Sequence, residues 1–144
     1  MEEVLIAAWV QADKKDIKIH KEIDPNIPRI LGDSGKIQRV MMNLIINAIK
    51  FSSEKSTITI GLKHFRNNQI LFQVSDEGPG IPQHELSAIF NKYYHNIELS
   101  RKQRGFGLGL YISKYIIKAH NGEIWAQNNP DKGATFSFSL PKEN

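Results

Sequence analysis

Asp76-Glu77-Gly78-Pro79-Gly80-Ile81 and Gly105-Phe106-Gly107-Leu108-Gly109-Leu110 are two glycine clusters separated by a polar and basic segment. The first closes an alternating strand-like stretch and the second runs straight into a helix-like one. Either cluster alone is a weak signal. Together, and preceded by an asparagine-bearing helix, they describe a pocket with a mobile lid over it.

The 144 residues suffice for one domain, 1–144, with a buried core. Hydrophobic residues make up 40% and charged residues 24%, ordinary values for a globular protein. The absence of cysteine excludes disulfides, thiolate metal sites and a thiol nucleophile. No apolar run approaches the ~18 residues of a membrane helix, and Met1-Glu2-Glu3 lacks the basic start of a signal peptide. A cytoplasmic domain without direct membrane contact is therefore expected, even if a longer parent is membrane-anchored. The net charge of +4 is small and dispersed, with no aromatic residues interleaved in a basic stripe. That excludes nucleic acid as the expected partner.

Outward from the glycines, Val4, Leu5, Ala8, Trp9 and Ala12 have helical spacing, and this short amphipathic helix suits the tail of an upstream element (residues 1–13). Ile17, Ile19 and Ile23 alternate as a strand, and Pro25, Pro28 and Gly32 then break the chain. Asp33 or Ser34 is the expected N-cap of a helix running to about Lys50, with Ile37, Val40, Met41, Leu44, Ile45, Ala48 and Ile49 as its buried stripe. Thr57 to His64 and Gln69 to Asp76 form a hairpin about Asn67-Asn68. Pro82 opens a short helix to about Phe90, Leu108 to His120 is helical with a stop at Asn121-Gly122, and Ile124 to Gln127 pairs with Ala134 to Leu140. The alternation of Phe136, Phe138 and Leu140 with Thr135, Ser137 and Ser139 predicts a strand with one buried face. The sum is an α/β two-layer sandwich, a mixed and mostly antiparallel sheet of five strands covered on one face by three helices.

Asn43, Asn47 and Lys50 share one face of the long helix. A neutral amide oxygen suits a hard cation such as Mg2+, and the ammonium suits a phosphate. An ordinary exposed face presents the same residue types, and the helix alone does not separate the two. Asp76 at a strand end can accept a hydrogen bond from an exocyclic amine such as that of adenine, while Gly78 and Gly80 let the backbone approach a flat ring. A plain Asp-Glu-Gly turn reads the same in isolation. The second cluster leads into a helix N-terminus, whose free N–H groups hold phosphates. Its G-x-G-x-G spacing is neither the dinucleotide pattern nor a P-loop, and no protein-kinase H-R-D or D-F-G occurs. The lid, residues 82–104, carries Phe90, Tyr93 and Tyr94 as anchors. Its Lys92, Arg101, Lys102 and Arg104 can reach a terminal phosphate on closing.

These motifs resemble the ATP-binding catalytic domain of sensor histidine kinases, of the GHKL ATPase superfamily. Residues 43–52 look like the family's Asn box, Asp76 to Ile81 its first glycine box, Ile89 to Tyr94 its Phe box, and Gly105 to Leu110 its second glycine box. Gly133-Ala134-Thr135-Phe136 resembles the closing glycine-threonine strand. The resemblance covers essentially the whole chain and implies a Bergerat-type fold that binds Mg-ATP. It places Asn47 on the metal, Asn43 and Lys50 near the phosphates, and Asp76 on the adenine amine with Gly78, Gly80 and Ile81 beside it. Gly105, Phe106, Gly107, Leu108, Gly109 and Leu110 would cradle phosphates, Tyr94 would close on the nucleotide, and Thr135 would support the adenine side. In the family the γ-phosphoryl group passes to a histidine on separate dimerisation helices and then to a response regulator.

Asn91 and His95 stand where the family's Phe box usually carries Glu and Arg. No phosphoacceptor motif occurs: His84-Glu85-Leu86 imitates only its start, and His20, His64 and His120 have no such context. Autophosphorylation by the chain alone is therefore not expected. ATP-hydrolysing relatives of the gyrase, mismatch-repair and chaperone kind carry a Glu where this chain has Asn43, and an amide is no general base. Anti-sigma-factor kinases share the fold but fit the Phe box and long lid less well. A docking module that binds nucleotide without transferring phosphate stays open.

Overall fold

Asp33 accepts a hydrogen bond from the Lys36 backbone N–H at 3.1 Å and so caps helix α2 (Ser34–Phe51). The expected apolar stripe, Ile37 to Ile49, is buried along it. Its far end is closed by a residue that periodicity does not mark. Lys15 donates to the carbonyls of Ile49 (2.9 Å), Lys50 (3.2 Å) and Ser52 (2.7 Å), satisfying acceptors that a helix terminus leaves orphaned. A cation there also opposes the helix dipole. Lys15→Met keeps most of the stem and removes the donors. It should lower stability by about 1–2 kcal/mol in urea unfolding with an unchanged m-value.

The structure is a computed structural model and describes residues 2–66, 68–91 and 106–142. Around α2 lie α1 (Glu2–Asp13), β1 (Lys18–Ile23), β2 (Thr57–Phe65), β3 (Gln69–Ser75), α3 (Phe106–Ala119), β4 (Glu123–Asn128) and β5 (Ala134–Pro141). The sheet order is β1-β2-β3-β5-β4, with β1 parallel to β2 and the remaining pairs antiparallel. Leu62, Phe72, Phe138 and Ile124 stand side by side across four strands and face the helices. The Phe72 and Phe138 rings stack with centroids 5.1 Å apart. All three helices contribute to that one core, giving the two-layer sandwich that the patterning predicts.

Four local expectations are corrected. Val4, Ala8 and Ala12 form the buried stripe of α1, whereas Trp9 is 55% exposed beside Ile6 and Val10, because the helix is apolar on two sides and its small residues fit against α2. Residues 83–85 form a single 3₁₀ turn and the following residues stay in turns, not an α-helix; Ile89 and Phe90 drop into the core, with Phe90 edge-on to Phe136 at 6.4 Å. Thr135, Ser137 and Ser139 are buried as well as their apolar neighbours. They are small, they lie between flanking strands, and the Phe65 and Trp125 rings stack above that face with centroids 6.2 Å apart. Finally α3 begins at Phe106, so Gly107 and Gly109 lie inside the helix and not in a loop before it.

Candidate functional site

Asn47 is 3% exposed on α2, and its Nδ2 has no hydrogen-bond partner among the described residues. Leaving a buried amide unpaired costs roughly 1–3 kcal/mol, so such a group marks a place that a ligand or water completes. One turn earlier, Asn43 donates from Nδ2 to Ser113 Oγ on α3 at 3.0 Å. Lys50 is exposed in the last turn.

Asp76 is 5% exposed, at the end of β3. Its Oδ1 accepts from the N–H groups of Gly78 (2.9 Å) and Ala134 (3.1 Å), and its Oδ2 takes no bond among the described residues. Burial pushes the Asp76 pKa above its ordinary value, and the two N–H donors pull weakly the other way. Gly78 rests on the end of α2, where a Cβ would come within 2.3 Å of the Phe51 carbonyl oxygen. That contact brings the Asp76 loop against the helix carrying Asn43, Asn47 and Lys50.

Two residues absent from the expectations hold this loop. Asn128 grips Ile81 from both sides, accepting from its N–H at 2.8 Å and donating to its carbonyl at 2.7 Å. Asn129 donates to Ser75 Oγ, Asp76 O and Lys132 O within 3.0–3.1 Å. Only the Asn-Asn-Pro-Asp turn signal marks them in the sequence. Thr135, expected on the adenine side, sends its hydroxyl to Asn129 Oδ1 at 2.6 Å, with Ser75 Oγ at 3.0 Å, on the face opposite Phe136. The neighbouring Ala134 N–H is the group that meets Asp76.

On α3, Phe106, Gly107 and Leu108 form the first turn, and Leu110, expected at the ligand, is fully buried in the core. Gly109 lies against α2, where a Cβ would come within 2.8 Å of Asn43 Oδ1. A cavity of about 270 Å3 opens between the two helices beside Asn43, Gly109 and Ser113, with Arg39 on its wall, another residue the motifs did not mark. Tyr94, Arg101, Lys102, Arg104 and Gly105 lie outside the described residues, as do Lys92, Tyr93 and His95. No described helix is long and apolar enough to cross a membrane.

Residues 32–144 match the family of histidine kinase-, DNA gyrase B- and HSP90-like ATPases. The adaptive-response sensory kinase SasA of Gloeothece citriformis is 34% identical over 139 residues, which is 96% of this chain and 35% of that protein. SasA of a Nostoc species is 38% identical over 124 residues, 86% of this chain and 31% of that protein. The chain thus spans about a third of the length of these relatives. Among solved structures, the catalytic domain of histidine kinase ThkA superposes with a TM-score of 0.85 at 31% identity, covering 98% of this chain and 89% of that one. Full-length ShkA in complex with AMPPNP gives 0.83 at 26%, covering 97% of this chain and 28% of that one. The chain therefore belongs to the histidine kinase-, DNA gyrase B- and HSP90-like ATPase family, as an ATP-binding catalytic domain of the sensor histidine kinase kind.

Proposed function

We propose that this domain binds Mg-ATP and presents its γ-phosphoryl group to a histidine on the dimerisation helices of a longer parent kinase, from which it passes to a response regulator. The observation that carries the reading is a buried carboxylate that keeps one oxygen free, on a loop that Gly78 packs against the end of the helix bearing the buried, unpartnered Asn47 Nδ2. Asp76 Oδ2 is the acceptor for the adenine amine, and the two N–H groups on Oδ1 orient it. Asn47 and Asn43 fit a divalent cation, since neutral amide oxygens suit hard ions. When bound, Mg2+ would neutralise charge on the phosphate oxygens. The exposed Lys50 adds a cation at the same end of α2. Asn43 cannot take a proton from water, which favours transfer to a protein acceptor over hydrolysis.

Calorimetric titration with a non-hydrolysable ATP analogue tests the binding, with and without Mg2+. Binding is expected to tighten with Mg2+, and Asn47→Ala should lose about tenfold of that gain, the size of one good polar contact. No binding under either condition would overturn the reading. Phosphohistidine formed on an added fragment bearing the dimerisation helices would establish the transfer. Tight ATP binding without transfer would favour a docking module.

A further inference from the structure

We infer that Ser113 is a positioning residue, fixing the Asn43 side chain so that it turns its carbonyl oxygen, and not its N–H2, toward the bound cation. The inference rests on the Mg-ATP reading and extends it to a residue on the opposite helix. Asn43 Nδ2 donates to Ser113 Oγ at 3.0 Å, and Ser113 is 2% exposed, so water does not compete for that bond. The backbone of Gly109, one turn before Ser113, lies flat against the same amide. A Cβ there would approach Oδ1 to 2.8 Å and Nδ2 to 2.9 Å. The amide is thus pinned between a backbone and a hydroxyl.

The structure turns Nδ2, and not Oδ1, toward Ser113 Oγ, so the hydroxyl oxygen serves as the acceptor. The nitrogen is then committed to α3, and Oδ1 takes no bond among the described residues. An oxygen held this way suits a cation or its water shell. It repels phosphate oxygens, which want a donor. Ser113 reaches no ligand itself; it acts only through Asn43.

The test is Ser113→Ala, which leaves the Asn43 N–H2 without its shielded acceptor; the better helix propensity of alanine offsets part of that loss, so a small drop in melting temperature is expected. Affinity for a non-hydrolysable ATP analogue with Mg2+ is expected to fall about 3- to 10-fold, the value of one hydrogen bond, and to stay unchanged without Mg2+. In an Asn43→Ala background the same substitution should do nothing, because the coupling runs through that pair. In the nucleotide-free domain, exchange of the Asn43 side-chain amide protons should quicken in Ser113→Ala. Unchanged Mg-dependent affinity, an equal loss with and without Mg2+, or an undiminished loss in the Asn43→Ala background would each overturn the inference alone. Failure of the unaltered chain to bind would overturn the functional reading and this inference together.

Discussion

Asp76→Asn is expected to cut adenine-nucleotide affinity by about 10- to 150-fold, the range of a hydrogen bond to a charged group. The free domain should meanwhile stay as stable as before at neutral pH, or become more so. The Asn oxygen can still accept from Gly78 and Ala134 as Oδ1 does now, so the loop keeps its shape. What changes is the other arm, where an N–H2 replaces the free carboxylate oxygen and faces the adenine amine, donor against donor. The stability half follows from burial. The folded Asp76 pKa is raised above its ordinary 3.8, so the folded state keeps a proton that the unfolded chain has already released. Stability then falls as pH climbs from the unfolded value through the raised folded one, and the deficit is present in full above it. An amide carries no such deficit. Urea unfolding across that acidic window should show the unaltered protein gaining stability on acidification relative to the variant. Its nucleotide affinity should decline over the same window as Oδ2 acquires a proton. Equal affinities for the two proteins at neutral pH would remove Asp76 from the adenine site.

Gly133→Ala should cost about 2–6 kcal/mol, a large part of the 5–15 kcal/mol that holds a domain of this size together. Gly133 has φ +82, and an added Cβ would sit 2.0 Å from the Asp76 carbonyl oxygen and 2.9 Å from its Oδ1. Strain at that φ costs roughly 1–3 kcal/mol, and relieving a contact with backbone adds about 1–3 more. The displacement cannot be local. Gly133 O accepts from the Asn129 N–H at 2.9 Å, and Asn129 holds both Ser75 and Asp76. Nucleotide affinity should therefore fall with stability, whereas in Asp76→Asn the two separate. A loss under about 1 kcal/mol in urea unfolding would show that the turn yields freely.

The elements that sequence reading recovers are those whose cause is local. Asp33 caps α2 because its side chain reaches a backbone N–H three residues on, and the α2 stripe follows from helical period alone. The antiparallel pairing of β2 with β3 and the glycine-flanked Asp76 are equally short-range. What escapes depends on separation in sequence. Lys15 meets α2 from residues 34–37 positions away, and Asn128 meets Ile81 from 47 away, so neither shows a period or a turn signature that announces its partner. Ser113 reads as a neutral residue in an apolar helix until α3 is laid against Asn43. Trp9 is exposed although it shares the helical spacing of Val4, Ala8 and Ala12, because α1 has two apolar sides and only contact with α2 chooses between them. Leu110 fell within a ligand-binding motif, yet the turn of α3 carries it into the core.

The position of β5 has a consequence for how the molecule is made. It is the last strand in sequence, yet it lies between β3 and β4. A ribosome delivers the earlier strands first, and during that interval one edge of β3 stays open while β4 has nothing to pair with. Only when residues 134–141 emerge do both edges close, and the same step brings the Ala134 N–H to Asp76. Nascent chains halted before that strand should be sensitive to protease and blind to nucleotide. The carboxylate of the pocket receives its second N–H in the same event that completes the sheet.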